Sequence, residues 1–399
     1  MTFNFNMYET LAIAIVILLV GDFLKKRISV LERFFIPEPV IGGVLFSIIL
    51  LIGHNTNMFN FSFDGTLKTF LMVAFYATVG FLASFELLKK GGVGVALFLV
   101  CAIILVTLQD IIGVSLAKMF GLHPYIGLAA GSVPLTGGHG TSGAFGPIME
   151  QAGATGAMSV AMASATFGLV AGCLIGGPIA KRLIEKFKLH GPKEESIINE
   201  DGNTSENAVV EHKITEQSIT HAVIAIGLAC GCGVWIPAFS KAHGLALPLY
   251  LGPMIIAAVI RNIMDASKKK LPLKEISVIG NIALALFLAM ALMSMKLWQL
   301  ADLALPLIVI LLVQTFIMGV FAYFITFNVM GRDYDAATIA CGHCGFGMGA
   351  TPNAMANMES FTKANGPSIK AFFVIPLVGS LFIDFFNAFV ITTFMNIFK

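Results

Sequence analysis

Two short stretches combine glycine, hydroxyl side chains and histidine in a sequence that is otherwise strongly apolar. The first reads LTGGHGTSGAFG at 135–146, and the second reads GHCGFGMGATPN at 342–353. Glycine allows a backbone to approach a ligand closely, and free backbone N–H groups, carbonyls and hydroxyls bind small ions. The composition alone is compatible with a phosphate loop, a metal loop or a segment that binds another small ion.

The cysteines test the metal interpretation. Cys341 and Cys344 in CGHC have the spacing of zinc or thioredoxin-like ligands. However, all six cysteines fall in apolar segments, and no strand–helix–strand pattern surrounds this motif. We therefore interpret them as small buried residues and predict no transition-metal site and no cofactor. An intramembrane enzyme based on His139 is also disfavoured, because the sequence has neither HExxH nor GxSxG.

The composition places these stretches in a membrane protein. The chain has 399 residues, of which 57% are apolar and only 12% charged, and its mean hydropathy is +0.87. Soluble domains carry about 25% charged residues. The sequence therefore predicts a polytopic protein in a lipid bilayer. Its formal net charge of +2 gives no indication of nucleic-acid binding.

Ten segments are apolar and long enough to cross a bilayer as helices, which takes about 20 residues each. They comprise approximately residues 7–24, 37–53, 67–88, 92–117, 154–180, 217–240, 246–264, 275–297, 303–330 and 368–396. Two further stretches, 124–150 and 335–360, contain the glycine-rich motifs. Because they are full of Gly, Pro, Ser and Thr, they are poor candidates for complete spans.

The distribution of basic residues favours re-entrant hairpins at these two stretches. With the N-terminus outside, ten crossings and two hairpins, 20 of the 25 Lys and Arg residues lie inside and 5 outside. Basic residues are enriched on the cytoplasmic side of membrane proteins. If either stretch crossed once, every later loop would change sides and the bias would weaken. Both termini are therefore predicted to lie outside.

A long polar segment divides the chain into halves. Residues 1–180 form the first membrane unit, 181–216 a flexible cytoplasmic linker, and 217–399 the second unit. A shift of 210 residues places Thr141 on Thr351 and Ala144 on Ala354. Each half has an odd number of crossings, so the halves must have opposite orientations. The predicted fold is all-α and polytopic, with two inverted-topology repeats of five transmembrane helices plus one re-entrant hairpin each, a plan typical of secondary transporters.

Longer motifs resemble those of the bacterial sodium/glutamate symporter family. They include IPEPVIGG at 36–43, GSVPLTGGHGTSGAFG at 131–146, YDAATIACGHCGFGMGATPNAMANM at 334–358 and FIDFFNAFVI at 382–391. The similarity covers nearly the whole chain. It implies a carrier of the bacterial inner membrane that takes up L-glutamate with Na⁺ as the coupling ion. It also implies a homodimer and an elevator-type movement of one domain against a scaffold.

The arginines bear on how such a carrier would bind carboxylates. All five map to loops or span ends, at positions 27, 33, 182, 261 and 332. We therefore predict that backbone N–H groups and hydroxyls of the hairpins bind the substrate. The candidates are Ser132, Thr136, Gly137, Gly138, His139, Gly140, Thr141, Ser142, His343, Gly345, Gly347, Gly349, Thr351 and Asn353. The alternative role of the glycines is to let helices pack closely. The alternative for the histidines is that each is neutral and forms hydrogen bonds to the hairpin backbone, instead of donating to the substrate or relaying protons.

Polar residues within spans are candidates for the sodium site. Asp384 lies well inside the last predicted span, and Asn387 follows on nearly the same helix face. Asn281 is a similar case in the eighth span. These residues are predicted to bind Na⁺ through oxygen atoms, and the alternative is a polar link between helix and hairpin. Asp110, beside Gln109, has no partner that the sequence reveals.

Two other transport functions stay open at this point. A symporter with the same architecture could carry another dicarboxylate, such as aspartate or citrate, with sodium or protons. Glycine-rich re-entrant segments also build the selectivity filters of channels. Filters usually repeat around a pore axis, whereas these repeats are inverted within one chain, so the carrier is favoured.

Overall fold

The computed structural model describes residues 2–192, 214–242, 247–300 and 303–398 and is mainly helical. Most of the predicted linker, 193–213, lies outside the described residues. The first half contains α1 (Met7–Arg27), α2 (Ser29–Arg33), α3 (Glu38–Asn55), α4 (Thr66–Leu82), α5 (Phe85–Lys90), α6 (Gly92–Met119), α7 (Pro124–Leu128), α8 (Ser132–Leu135), α9 (Gly138–Gln151) and α10 (Ala157–Phe187). Two short parallel strands, β1 (Thr2–Phe5) and β2 (Asn60–Phe63), pair near the N-terminus.

The second half also contains both long and broken helices. It contains α11 (Glu216–Gly233), α12 (Trp235–Ala242), α13 (Leu251–Ala266), α14 (Leu273–Leu292), α15 (Ala304–Phe321), a π-helical turn (Ala322–Thr326), α16 (Phe327–Val329), α17 (Tyr334–Met348), α18 (Thr351–Asn365), α19 (Ile369–Leu381) and α20 (Ile383–Ile397). Apart from the terminal strand pair, the prediction of a helical polytopic membrane protein is confirmed.

All ten predicted spans contain helix, but they differ in length. Within the described residues, seven helices are long and apolar enough to cross a membrane, and the bent pair α19–α20 makes an eighth. Helix α4 is apolar but has 17 residues, and α13 has 16. Helix α13 also carries Arg261 and Asp265, which form an ion pair at 2.8 Å that is largely shielded by protein. Shielding by neighbouring helices allows such short, charged helices in a membrane protein.

Several spans depart from the predicted single rods or from their predicted bounds; the third, for example, is divided into α4 and α5 between Leu82 and Phe85. The last is broken at Phe382, where α19 and α20 meet at a bend of 47°. A Gly379–Ser380 pair precedes the break, and such pairs are a recognised cause of kinks. The ninth span contains the π-helical turn, and α10 continues to Phe187, seven residues beyond the predicted boundary at 180.

The helices pack in two groups. Helices α1, α3, α4, α11, α13 and α14 contact mainly one another, whereas α6–α10 and α15–α20 form the second group. Contacts in one half of the chain correspond to contacts in the other when α1, α3 and α4 are matched with α11, α13 and α14. The contact of α3 with α14 then corresponds to that of α13 with α4, and the contact of α1 with α14 to that of α11 with α4. In the second group, α10 contacts α15 as α20 contacts α6. The groups meet where α9 packs against α14.

Small residues allow α10 to lie directly against the second glycine-rich stretch. A Cβ at Gly168 would lie 2.0 Å from the Met348 carbonyl oxygen, and one at Gly176 would lie 2.8 Å from the Cys341 carbonyl oxygen. Gly168 and Gly176 are eight residues apart, which is two steps of four, so they lie on one helix face and line the contact with α17. Close approach through glycine is the usual way in which membrane helices pack tightly. Helix α10 also contacts α8, α9 and α18, so it holds both glycine-rich stretches.

Candidate functional site

A cavity of about 370 Å³ lies where the two helix groups meet. Its volume is within the range of small-molecule binding sites. It is lined from the first group by residues of α4 and α14, including Tyr76 and Leu284. From the second group it is lined by both glycine-rich stretches and the broken helix α19–α20. Ten of the sequence-predicted site residues line it: Thr136, Gly137, Gly138, His139, Gly140, Thr141, Gly349, Thr351, Asn353 and Asp384.

Both glycine-rich stretches are broken at the cavity. Helix α8 ends at Leu135 and α9 begins at Gly138, and α17 ends at Met348 before α18 begins at Thr351. The breaks lie close together, because a Cβ at Gly138 would lie 3.5 Å from the Gly349 carbonyl oxygen. Neither α9 nor α18 has a side-chain hydrogen bond that caps its N-terminus. Two helix N-termini with uncapped N–H groups therefore face the same space.

Asp110 anchors the first stretch. Its buried carboxylate accepts hydrogen bonds from the Ser132 backbone N–H at 2.8 Å and from the Ser132 hydroxyl at 3.0 Å. A buried carboxylate needs such donors, and α8 begins at this point. The structure thus supplies the partner that the sequence did not reveal. Both hydrogen-bond donors of Ser132 are therefore used by Asp110, and Ser132 does not line the cavity.

Gln109 connects the two stretches to each other. Its side-chain amide donates a hydrogen bond to the Gly347 carbonyl at 2.7 Å, and its side-chain carbonyl accepts one from the Thr136 hydroxyl at 2.9 Å. Gln109 is 1% exposed, so neither bond competes with water. Gln314, which the repeat places at nearly the same position, donates to the Gln109 backbone carbonyl at 2.7 Å instead.

Tyr76 joins the first helix group to the first stretch. Its buried hydroxyl donates to the Thr141 hydroxyl at 3.3 Å, and its ring stacks on Tyr250 with centroids 4.2 Å apart. Sequence reasoning missed Tyr76, because a single tyrosine in an apolar span has no distinctive spacing. Its only signal is a polar hydroxyl within a predicted span, which usually has a partner when buried.

Asn353 presents an unpaired oxygen. Its amide nitrogen donates to the Leu169 carbonyl at 3.2 Å and contacts the Cys173 sulfur at 3.0 Å, which ties α18 to α10. The Asn353 side-chain carbonyl is buried and has no hydrogen-bond partner. Since buried polar atoms are nearly always paired, this oxygen is a candidate ligand for a cation or for a substrate N–H group.

Asp384 follows the break in the last span. It lies in the first turn of α20, is half-buried and lines the cavity together with Ser380 of α19. Its carboxylate has no hydrogen-bond or ion-pair partner among the described residues. Because of the bend, the Ser380 and Asp384 side chains lie beside the glycine-rich stretches. In an unbroken helix both would lie on one straight face.

The two histidines occupy different environments. His139 lines the cavity, and its Nε2 lies 3.0 Å from the Thr166 hydroxyl. That hydroxyl donates to the Met162 carbonyl, which assigns Nε2–H of His139 as the donor to Thr166. His343 does not line the cavity. It is fully buried against aromatic rings and pairs through Nδ1 with the Thr326 hydroxyl at 2.8 Å.

Five other predicted residues lie behind the cavity wall or away from it. The Ser142 hydroxyl donates to the Gly138 carbonyl at 2.8 Å, and Gly345 packs against the backbone of α18. Asn387 is buried and donates to the Ser132 carbonyl at 3.2 Å, while its side-chain carbonyl has no partner. Asn281 is exposed on α14. Gly347 does not line the cavity, and its carbonyl accepts the hydrogen bond from the Gln109 side chain.

No arrangement for a transition metal is found in the part of the chain that the structure describes, where His, Cys, Asp and Glu form no group of three with suitable spacing. Cys341 and Cys344 are buried and not bonded to each other. The Cys341 thiol instead contacts the Asn357 carbonyl at 3.6 Å. The CGHC motif is therefore part of the packed surface of α17.

The fold defines a multi-pass membrane protein in which broken helices meet at a small cavity between two helix groups, and polar side chains and helix N-termini lie in an otherwise apolar lining. The chain belongs to the sodium/glutamate symporter family, whose profile matches residues 3–367. It is 42% identical to the sodium/glutamate symporter of Haemophilus influenzae over 390 residues, which cover 97% of this chain and 96% of that protein. It is 40% identical to the sodium/glutamate symporter of Escherichia coli K12 over 397 residues, 98% of each chain. The resemblance based on the motifs is confirmed.

Proposed function

We propose that this protein takes up L-glutamate coupled to an inward flow of sodium. The observation that carries this proposal is the cavity itself, which combines two uncapped helix N-termini with the unpaired carboxylate of Asp384. The first feature suits a small anion and the second suits a cation. The similarity to sodium/glutamate symporters indicates the identity of both ligands.

The substrate carboxylates bind to the N-termini of α9 and α18. Each terminus carries free N–H groups and a partial positive charge, so it attracts an anion without an arginine. The hydroxyls of Thr141 and Thr351 line the same space and add hydrogen-bond donors, whereas the Thr136 hydroxyl in the same wall donates to Gln109. Glutamate has two carboxylates, and the cavity has two such helix ends.

Sodium binds to oxygen atoms around the broken helix α19–α20. Asp384 supplies the charge, and Ser380 and the unpaired Asn353 carbonyl lie in the same lining. Asn387 supplies a further unpaired oxygen behind the wall, beside the Ser132 carbonyl. Oxygen ligands and unwound backbone are the usual surroundings of coupled sodium ions. Asn281 faces outward and adds no oxygen to this cavity, so we leave it out of the proposed site.

We further propose that the halves are inverted repeats and that α7–α9 and α17–α18 are re-entrant hairpins. Reciprocal packing between the halves supports this arrangement. Helices α17 and α18 have 15 residues each, or about 22 Å at 1.5 Å per residue, which is less than the hydrocarbon thickness of about 30 Å. With the cavity between two helix groups, the elevator-type movement would shift the group that holds the hairpins against the other.

The same proposal includes the cellular setting that the family resemblance implies. The protein works in the bacterial inner membrane as a homodimer, with both termini outside. Its two repeats comprise residues 1–180 and 217–399, and the cytoplasmic linker 181–216 joins them.

Uptake of labelled L-glutamate into proteoliposomes tests the function. We expect accumulation with an inward sodium gradient and none with an equal potassium gradient. Uptake should saturate and support exchange of internal for external glutamate, which excludes a channel. Aspartate and citrate should compete poorly. Accumulation that is independent of sodium, or driven equally by a proton gradient, would contradict the proposed coupling.

Thr141→Val tests the binding of substrate at the N-terminal part of α9. The change removes a hydroxyl of the cavity wall while keeping the shape of the side chain. We expect the apparent KM for glutamate to rise about three- to tenfold, since losing a buried hydrogen bond costs about 1 kcal/mol or more.

Two variants separate substrate binding from packing in this test. Tyr76→Phe removes the same Tyr76–Thr141 hydrogen bond but keeps the Thr141 hydroxyl, so its effect should be smaller. Thr107→Val removes a hydroxyl that bonds only within α6 and should leave KM unchanged. An unchanged KM in Thr141→Val would remove this residue from the proposed site.

A further inference from the structure

A second cavity, of about 720 Å³, lies on the outer surface of the helix bundle, away from the proposed transport site. It forms a groove between α10 and α15 with its π-helical turn. The walls are apolar and exposed: Leu174 is 61% exposed, Leu312 58% and Phe316 69%. Thr315, the hydroxyl residue in the middle of the groove, already donates to the Leu311 carbonyl of its own helix at 2.8 Å. Most of the groove therefore offers contacts for hydrocarbon only.

Two basic side chains lie at one end of this groove. Arg182 and Lys186 are one turn apart on α10, and both line the groove. The Lys186 ammonium lies 5.3 Å from the ring centroid of Tyr323, which belongs to the π-helical turn. No acidic residue lines the groove, and Arg182 forms no ion pair within the described part of the chain. The nearby Glu185 contacts Lys181 instead, at 3.9 Å.

The dimensions of the groove fit a lipid chain. From Leu174 to Lys186 the lining of α10 extends over thirteen residues; the twelve steps between them correspond to about 18 Å at 1.5 Å per residue. One leaflet of hydrocarbon is about 15 Å thick, half of the bilayer core. A molecule with an acyl chain along α10 and an anionic headgroup at its charged end would match both the length and the charge. Basic pockets between membrane helices bind anionic headgroups in this way.

We propose that this groove is a binding site for an anionic phospholipid. Arg182 and Lys186 bind the phosphate, and the apolar walls of α10 and α15 hold one acyl chain. Tyr323 contacts the headgroup region, because the π-helical turn places its ring beside Lys186. The lipid would thus bridge α10, which contacts both glycine-rich stretches, and α15. This site does not depend on the identity of the transported substrate.

Mass spectrometry of the purified full-length protein tests the proposal. The protein is reconstituted with equal amounts of phosphatidylglycerol and phosphatidylcholine that carry the same acyl chains, and the retained lipids are measured. We expect the wild type to retain phosphatidylglycerol preferentially. Arg182→Gln with Lys186→Gln should lower that preference about thirtyfold, which corresponds to a contribution of about 1 kcal/mol from each of the two basic residues to the attraction of an anionic lipid.

Two further variants make the result specific. Lys181→Gln with Lys269→Gln removes the same charge from exposed positions outside the groove and should retain the wild-type preference. Gly319→Leu adds a side chain where Cβ would already lie 3.3 Å from Ile179, so it should lower retention of both lipids. Equal retention of the two lipids by the wild type, or an equal loss in the Lys181/Lys269 control, would overturn the proposal. A dimer that Gly319→Leu dissociates, without any lipid preference, would assign the groove to a second copy of the chain.

Discussion

Replacement of Asp384 by Asn is expected to lower sodium-driven glutamate uptake by about tenfold or more at a sodium concentration that half-saturates the wild type. Among the described residues, Asp384 provides the only carboxylate that lines the cavity. A unit charge beside a bound cation in a partly dry site is worth several kcal/mol, on the order of 4 kcal/mol at 4 Å. The amide keeps the size and one oxygen of the side chain but removes its charge.

The sodium dependence distinguishes a ligand from a structural residue. If Asp384 binds the ion, the half-saturating sodium concentration should rise in Asp384→Asn, and high sodium should restore part of the uptake. Asp384→Glu, which keeps the charge, should be less impaired. Glu359→Gln removes an exposed acid of α18 and serves as the matched control, with wild-type behaviour expected. A loss of uptake with an unchanged sodium requirement would contradict the proposed role.

Replacement of Gln109 by Leu is expected to raise the apparent KM for glutamate about tenfold. Gln109 touches neither the substrate nor the ion in our proposal, and it acts by positioning the two glycine-rich stretches. The change removes both hydrogen bonds of the Gln109 side chain. It leaves between these two groups only the longer bond of 3.4 Å from the Thr136 hydroxyl to the Gly347 carbonyl. A buried hydrogen bond contributes about 1 kcal/mol, so the two stretches would be held together less firmly at the cavity.

Gln314→Leu is the control that the fold provides. Gln314 is equally buried, at 1% exposure, and also donates a hydrogen bond of 2.7 Å to a backbone carbonyl, but it bonds α6 rather than a glycine-rich stretch. Both variants should unfold at somewhat lower temperature than the wild type, and only Gln109→Leu should change KM. Gln109→Glu keeps the acceptor for Thr136 and loses the donor to Gly347. An equal change of KM in Gln314→Leu would show that general destabilisation explains the effect.

Hydropathy and charge were sufficient to predict the class of the protein and the order of its helices. The reason is that each lipid-exposed helix must satisfy its own backbone and present apolar side chains, so every span leaves a signal in the local sequence. The same local signals do not reveal breaks. The bend at Phe382 and the π-helical turn at 322–326 lie within apolar runs that predict continuous helices.

The candidate site was predicted in part, and unevenly along the two stretches. Thr136 to Thr141, Thr351 and Asn353, which we predicted as substrate-binding candidates, line one cavity. His343 and Gly345 lie in the same glycine-rich stretch, but they are buried in the contacts between α17 and its neighbours and do not line the cavity. Which side of a short helix faces a cavity depends on its neighbours, and residues a few positions apart in one stretch can lie on opposite sides.

By itself, the sequence determined that this is a polytopic membrane protein of the sodium/glutamate symporter family with two unusual glycine-rich stretches. The tertiary structure alone decided that these stretches meet beside Asp384, that Gln109 holds them together and that Tyr76 reaches them from the other helix group. These contacts join residues that are separated by 27 to 238 positions in the chain. They follow from helix packing, which brings distant segments together through many small contacts, and local residue patterns carry no record of it.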